Sequence, residues 1–155
     1  MVEFYFFDTS AIVKRYTQET GSAWVLEIIS KQPDVRIILS RITWVEVLSA
    51  LSRLRREREI SAAQFSQEIR AFSQHFKVEY HIMEFNRTVS RVAGELVQRQ
   101  PLRAYDAVQL ASALRLRDMY RPVESVKFTF VSADQRLVSV AISEGLTVVN
   151  PVDQK

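Results

Sequence analysis

Short apolar runs alternate along the chain with longer segments whose apolar side chains recur every three or four residues. The short runs are predicted to be buried strands, at 2–7, 35–39, 78–82, 127–131 and 146–149. The longer segments are predicted to be helices, at 21–31, 42–58, 61–75, 86–100, 103–119 and 134–144. Strands interleaved with helices are typical of an α/β protein. We therefore predict an α/β/α sandwich, with a mostly parallel central sheet flanked by several helices, as a single domain over 1–155.

Composition restricts the chemistry that such a domain can perform. The chain has no cysteine, which excludes disulfides and thiolate zinc sites. Its two histidines, His75 and His81, are too few for an ordinary histidine-built metal centre. Any metal would therefore be held by oxygen ligands, which favours Mg²⁺ or Mn²⁺. No apolar run approaches the roughly 20 residues of a spanning helix, and no leader pattern is visible, so we expect a cytoplasmic protein without a membrane partner.

Four acidic residues stand out against this pattern because each lies in apolar surroundings at a strand end or near a helix start. Asp8 follows the strand of residues 2–7, and Asp134 follows the strand of residues 127–131. Asp106 lies beside the apolar stripe of its helix, and Glu46 lies in the first turns of the 42–58 helix. Ligands of parallel sheets bind at the carboxyl ends of the strands. We therefore expect the four carboxylates to converge on one site.

Each acid also has a purely structural interpretation. Asp8 and Asp134 are suitable helix N-caps, and Glu46 is favoured by the dipole of its helix. Asp106 has a possible salt-bridge partner in Arg103, which would offset the cost of burying its charge.

A converging cluster would have a specific electrostatic problem. Two carboxylates about 4 Å apart repel by roughly 4 kcal/mol at an effective dielectric constant near 20. A divalent ion removes that repulsion, and carboxylates with bound Mg²⁺ or Mn²⁺ suit the hydrolysis of phosphodiesters. Ser10 and Ser132, each two residues from an acid, are expected to hold metal-bound water by hydrogen bonds. Thr9 is a further candidate, with a simple capping role as its alternative.

Four stretches of the sequence together resemble a known family. They occur in the order and spacing of PIN-domain ribonucleases, in particular the VapC-like toxins of toxin–antitoxin pairs: FFDTSAIVKRY, ITWVEVLSAL, LRAYDAVQLASAL and FVSADQRL. The resemblance runs from residue 4 to about residue 150. It implies a metal-dependent endoribonuclease in which the four acids bind Mg²⁺ or Mn²⁺ and activate water: Asp8, Glu46, Asp106 and Asp134.

The same resemblance implies partners. Such proteins commonly cut structured RNA, often tRNA or ribosomal RNA, are held inactive by a cognate antitoxin and form homodimers. Ser10 and Ser132 match supporting hydroxyl positions of the family. Gln109 stands where many relatives carry histidine, a position that is not usually a metal ligand.

Basic residues provide candidate contacts to RNA phosphates. The excess of positive charge is small, with 21 Lys and Arg against 18 Asp and Glu, and indicates an anionic partner only weakly. Lys14, Arg15 and Arg103 are the preferred candidates because they lie close in sequence to the acids. The arginines that follow Glu46 on its helix, from Arg53 onward, are interpreted as a solvated helix end.

Several alternatives remain open at the level of sequence. The apolar face of the 61–76 segment predicts either core packing or a surface for a second copy or an antitoxin. The nuclease interpretation includes a housekeeping enzyme of the same fold. Two other classes are a signalling receiver, which also places acids at strand ends, and a module that binds RNA or antitoxin without catalysis.

Overall fold

Five parallel strands form a single sheet in the computed structural model, which describes residues 1–155. The strands are β1 Val2–Phe7, β2 Val35–Ser40, β3 His81–Met83, β4 Val126–Val131 and β5 Val148–Val149. Their order across the sheet is β3-β2-β1-β4-β5, and every neighbouring pair is parallel. The predicted parallel sheet is confirmed. Because the chain leaves β1 toward β2 on one side and reaches β4 on the other, the strand order reverses at β1, where open α/β sheets form their binding crevice.

Seven α-helices cover the two faces of this sheet. They are α1 Thr9–Ile12, α2 Ser22–Ser30, α3 Thr43–Arg56, α4 Ala62–Val78, α5 Arg87–Arg99, α6 Ala104–Tyr120 and α7 Gln135–Ser143. Buried residues of α1 to α4 pack in one core, and those of α5 to α7 pack in a second core on the opposite face. The fold is therefore an α/β/α sandwich, as predicted. None of the helices is both long and apolar enough to cross a membrane.

The aromatic run at the start of the chain supplies both cores at once. Phe4 and Phe6 of β1 point into the core with α5 to α7, whereas Tyr5 and Phe7 point into the core with α1 to α4. Successive side chains of a strand alternate between faces, and a central parallel strand is covered on both. An uninterrupted apolar run is therefore what this position requires, and it anchors the residue that follows, Asp8, at the sheet's carboxyl edge.

Three elements differ most from the sequence-based expectation. Helix α4 runs on to Val78, so the strand predicted at 78–82 begins only at His81. The amides of Glu79 and Tyr80 both donate to the carbonyl of His75, which closes the helix end before the strand starts. Strand β5 is shortened to Val148–Val149, and the short helix α1 follows β1 directly where no helix was predicted.

The apolar face of α4 packs in the core. Phe72 and Phe76 are buried, and the ring of Phe72 stacks on Trp44 of α3 with centroids 5.5 Å apart. Phe65 and Ile69 are partly buried against the same cluster. Core packing is therefore confirmed for Phe72 and Phe76, whereas the partly exposed Phe65 and Ile69 leave the alternative of a partner surface open.

Candidate functional site

The four predicted acids line one pocket at the carboxyl edge of the sheet. Asp8 follows β1, Asp134 follows β4, Glu46 lies in the first turn of α3, and Asp106 lies in the first turn of α6. The pocket has a volume of about 270 Å³ and is lined by Asp8, Thr9, Ser10, Val13, Glu46, Ala50, Arg53, Asp106, Gln109 and Asp134. The structure therefore brings the four acids together, while their role as metal ligands stays a prediction.

Asp8 is the most buried of the four acids, with 3% of its surface exposed. Its Oδ1 accepts hydrogen bonds from the Ser10 hydroxyl at 2.7 Å and the Ala11 amide at 3.0 Å. Its Oδ2 accepts one from the Ser132 hydroxyl at 2.6 Å. The Ser10 oxygen in turn accepts from the amide of Ala133 at 2.9 Å. The two serines thus join the ends of β1 and β4 around one carboxylate, while the supporting role expected of them stays a prediction.

Asp8 also caps α1, so the structural interpretation holds together with the functional one. The same is true of Asp134, whose Oδ1 accepts from the amides of Arg136 at 2.9 Å and Leu137 at 3.2 Å at the start of α7. A carboxylate has two oxygens, and the Oδ2 of Asp134 has no hydrogen-bond partner. A capping role therefore leaves this acid available to the pocket.

Glu46 is held by a polar network that the sequence did not indicate. Its Oε1 accepts hydrogen bonds from the Gln109 amide nitrogen at 2.8 Å and the Thr9 hydroxyl at 3.0 Å. The Gln109 nitrogen lies also within 2.9 Å of the Thr43 hydroxyl and 3.1 Å of the Thr9 hydroxyl. The Gln109 side chain is fully buried, and its Oε1 has no partner. Thr9 is thus a direct partner of an acid.

At the level of sequence Gln109 was noted only as a position that is not usually a metal ligand, and its contact with Glu46 was not predicted. Its position three residues after Asp106 on α6 was the available signal, since residues three apart lie on one helix face. Its N–H donor fixes one oxygen of Glu46 and leaves Oε2 free.

Asp106 has neither a hydrogen bond nor an ion pair. The salt bridge to Arg103 proposed as its structural alternative is absent, although the nearby charges of Arg103 and Arg136 favour its ionised form. Burial and the negative charge of Asp134 act in the opposite sense and raise the pKa of Asp106 above its ordinary value. A partly buried acid that lacks its own cation is suited to share one with its neighbours.

The acids of the pocket raise one another's pKa values through their negative charges. Burial raises the pKa of Asp8 to about 7, and the charge of Asp106 adds to the effect despite the hydrogen bonds from Ser132, Ser10 and the Ala11 amide. Burial and the charge of Asp106 also raise the pKa of Glu46, against the hydrogen bonds from Gln109 and Thr9. Raised carboxyl pKa values mean that the protein alone does not fully compensate this concentration of negative charge.

The donor set fits a hard divalent cation. Four carboxylates and no softer ligand face the pocket, and free oxygens remain on Glu46, Asp106 and Asp134. No three acidic or histidine side chains approach closely enough to form a ready-made cage. Mg²⁺ is usually bound through one or two carboxylates while it keeps several waters, so a spacing of this kind is compatible with it.

A second depression shares Glu46, Asp106 and Asp134 with the acidic pocket and adds two arginines to them. It has a volume of about 420 Å³ and is lined by Glu46, Arg103, Tyr105, Asp106, Asp134, Gln135 and Arg136. The predicted phosphate contact Arg103 is therefore beside the acids. Arg136, two residues after Asp134, was not considered, and Arg53 of α3 lines the acidic pocket although it had been interpreted as part of a solvated helix end.

Lys14 and Arg15 require a correction. Lys14 is buried and donates to Glu19 Oε1 at 3.0 Å. Arg15 donates to Glu79 at 2.8 Å and to the Tyr80 hydroxyl at 2.7 Å, within a half-buried polar network. Both side chains are paired with acids outside the acidic pocket, Lys14 with Glu19 and Arg15 with Glu79. Neither residue is available for the phosphate contacts expected from its closeness in sequence.

Comparison with known proteins agrees with the geometry. The sequence matches the PIN domain family over residues 5–143. It is 34% identical to Ribonuclease VapC45 of Mycobacterium tuberculosis over 113 residues, which cover 73% of this chain and 76% of that protein. These matches identify the family, so the signalling-receiver interpretation is not supported.

Solved structures share the fold at low sequence identity. FitAB bound to the IR36 DNA fragment has a TM-score of 0.67 at 16% identity, with 97% of each chain covered. A toxin–antitoxin complex from Klebsiella pneumoniae has a TM-score of 0.62 at 16% identity, with 95% of this chain and 97% of that chain covered. From the sequence match and the shared architecture, the chain belongs to the PIN domain family, and within it to the VapC group.

Proposed function

We propose that the protein is a metal-dependent endoribonuclease, the toxin of a toxin–antitoxin pair, which hydrolyses RNA phosphodiester bonds with Mg²⁺ or Mn²⁺. The observation that carries the proposal is the convergence of four carboxylates without partner cations on one pocket: Asp8, Glu46, Asp106 and Asp134. The naming of VapC45 as a ribonuclease supports the assignment of an RNA substrate.

The residues of the chain have separable roles in this proposal. Asp8, Glu46, Asp106 and Asp134 would hold the ion, which when bound supplies positive charge for the scissile phosphate and an activated water. Ser10 and Ser132 hold the Asp8 carboxylate in place by hydrogen bonds. The arginines bind phosphates of the RNA backbone, since guanidinium groups pair with phosphate oxygens in bidentate fashion: Arg53, Arg103 and Arg136.

The proposal includes partners. RNA, either tRNA or ribosomal RNA, would be the substrate in the cytoplasm, and an antitoxin protein would bind the folded toxin. We also propose that the protein forms a homodimer, as the resemblance implies. The Klebsiella pneumoniae complex, a toxin with its antitoxin, supports the antitoxin partner through its common fold.

Removal of divalent ions is the direct test. We expect excess EDTA to abolish cleavage of a mixture of tRNA and ribosomal RNA, and Mg²⁺ or Mn²⁺ to restore it, because the carboxylates alone repel the phosphate. Calorimetric titration of Mn²⁺ into the protein provides a readout independent of activity and is expected to show binding. Undiminished cleavage in EDTA, or no heat of binding with Mn²⁺, would contradict the metal-dependent mechanism.

Gln109 is predicted to act as a positioning residue for Glu46. Gln109→Leu removes the N–H donor to Oε1, and a hydrogen bond to a charged group contributes about 1.5–3 kcal/mol. We therefore expect kcat to fall about tenfold to a hundredfold with little change in KM for RNA, measured by steady-state cleavage at saturating Mn²⁺.

Two variants control this measurement. Gln109→His keeps a ring N–H donor and is expected to recover part of the lost kcat. Gln98→Leu alters an exposed glutamine on α5 that donates only to the Gly94 carbonyl, and it should leave kcat unchanged. Equal kcat values for the wild type and Gln109→Leu would show that Glu46 needs no such support.

A further inference from the structure

A third depression adjoins the acidic pocket and has no basic residue in its lining. It has a volume of about 380 Å³ and is lined by Thr9, Ile42, Val45, Glu46, Ser49 and Tyr105. It shares Thr9 and Glu46 with the acidic pocket, and Tyr105 with the arginine-lined depression. Glu46 lines all three depressions, which therefore adjoin one another around this acid. We call the third one the Tyr105 pocket.

Tyr105 is exposed in a way that its neighbours on α6 are not. About 65% of its surface is accessible, whereas Ala107, Leu110 and Ala111 of the same helix are fully buried. Its place in the first turn of α6, directly before Asp106, holds the ring next to the acids. Val45 on α3 is likewise 64% exposed. An aromatic ring and an aliphatic side chain thus border the proposed reaction centre without contributing to either core.

The lining of the Tyr105 pocket distinguishes it from a phosphate site. No arginine or lysine lines it, and its single charged member is Glu46, which repels phosphate. The arginines of the region line the other two depressions, with Arg103 and Arg136 in one and Arg53 in the other. Uncharged surface with an exposed aromatic ring is the type of surface on which nucleic-acid bases stack. The hydroxyl of Ser49 adds a polar group suited to a base edge.

We propose that the Tyr105 pocket binds one unpaired nucleobase of the RNA, next to the phosphate that lies at the four acids. The inference rests on the proposed function and deepens it by giving the RNA strand a path across the three depressions. One base stacks on Tyr105, the adjoining phosphate faces the carboxylates, and a following phosphate contacts Arg103 and Arg136. Continuity of the pocket with the acidic site is the reason for choosing an RNA base as its occupant.

The proposal has a consequence for the choice of substrate. A base inside a duplex is stacked between its neighbours and paired, so its face cannot reach Tyr105 until it is unstacked. Enzymes that take a base out of a helix must supply the cost of that unstacking, which is least where the base is already unpaired. The Tyr105 pocket therefore selects single-stranded segments and loops over continuous duplex.

The test measures RNA binding separately from cleavage. In the Asp8→Asn background, so that the RNA remains intact, fluorescence anisotropy gives the Kd of a labelled 12-nucleotide single-stranded RNA of mixed sequence. Base–aromatic stacking contributes about 1–3 kcal/mol per base, so Tyr105→Ala is expected to raise Kd roughly fivefold to 150-fold. Tyr105→Phe keeps the ring and should stay within about twofold of the parent Kd.

Matched controls separate stacking from other effects. Phe85→Ala removes another exposed aromatic ring, 49% accessible and outside all three depressions, and should leave Kd unchanged. A ribose-phosphate oligomer of the same length without bases should bind the parent and Tyr105→Ala equally well. Circular dichroism verifies the fold of each variant.

Three outcomes would overturn the inference. The first is an unchanged Kd for Tyr105→Ala, and the second is an equal rise in Kd for the oligomer without bases. The third is a change in the oligomeric state of Tyr105→Ala in sedimentation, which would assign the patch to contact between copies of the chain. Failure of the nuclease assignment would appear elsewhere, as undiminished or absent RNA cleavage in the metal-removal experiment, so the two proposals fail in distinguishable ways.

Discussion

Replacement of Asp106 by asparagine is expected to lower the rate of RNA cleavage by about a hundredfold to a thousandfold, the effect of removing one preorganised electrostatic group from a reaction centre. Asp106 has no hydrogen bond or ion pair within the fold, so an amide of the same shape leaves no partner unsatisfied. Its charge, however, acts on both Asp8 and Glu46, whose pKa values it raises. The substitution therefore removes charge from the centre of the cluster while leaving the packing unchanged.

The same helix offers a matched control. Asp118 of α6 is exposed and forms an ion pair with the adjacent Arg117 at 2.8 Å, remote from the acidic pocket. Asp118→Asn should cleave RNA at the wild-type rate. Induced expression in a bacterial host gives a second readout, in which the wild type and Asp118→Asn are expected to arrest growth and Asp106→Asn is not. Cleavage by Asp106→Asn at the wild-type rate would refute the role assigned to the cluster.

Replacement of Asp8 by asparagine is expected to stabilise the metal-free protein at neutral and higher pH. Burial raises the pKa of Asp8 from 3.8 to about 7, so the folded state holds a proton that the unfolded chain releases. Wild-type stability is then highest below the unfolded pKa, decreases as the pH rises from about 4 to about 7, and stays reduced above that range. Asparagine cannot ionise and avoids this loss.

The size of this gain in stability follows from the pKa shift of Asp8. One pKa unit corresponds to 1.36 kcal/mol, so a shift of about three units gives an upper value near 4 kcal/mol. We expect a gain of about 2–4 kcal/mol in the free energy of unfolding at pH 8, measured by urea denaturation in EDTA, and almost none at pH 4. The hydrogen bonds from Ser10 and the Ala11 amide to Oδ1 can be retained by the amide oxygen.

Divalent ions are expected to reverse the order of stability. A ligand that binds only the folded state stabilises it in proportion to the logarithm of its concentration above Kd. Excess Mg²⁺ should therefore stabilise the wild type more than Asp8→Asn at pH 8. Asp118→Asn should show no comparable gain in EDTA. A less stable Asp8→Asn protein at pH 8 in EDTA would show that the carboxylate is required by the fold itself. The acidic site is therefore expected to lower the free energy of unfolding of the metal-free protein, a cost that functional sites commonly carry.

The helical and strand periods were sufficient to predict most elements, because each depends on side chains a few positions apart. These periods were less reliable for the ends of helices and strands, which are controlled by backbone hydrogen bonds. The carbonyl of His75 accepts from two amides and carries α4 past the predicted boundary, to Val78. The short helix α1 was likewise not predicted, although its cap Asp8 was recognised, because four residues are too few to show a helical period.

The candidate site divides in the same way. Asp8 and Asp134 were identifiable because each follows an apolar strand, and parallel strands deliver their carboxyl ends to one edge. Closeness in sequence to the acids was a poor guide to the basic residues, since Lys14 pairs with Glu19 five residues later and Arg15 pairs with the distant Glu79.

The amino-acid sequence by itself determined the α/β class, the parallel sheet and the four acids, because these depend on local periods and on the edge at which parallel strands end. Only the tertiary structure decided which side chains meet. The Ser132 hydroxyl reaches Asp8 across 124 residues, and the Gln109 amide reaches Glu46 across 63. Such contacts depend on the packing of whole helices against the sheet, to which residues far apart along the chain contribute together.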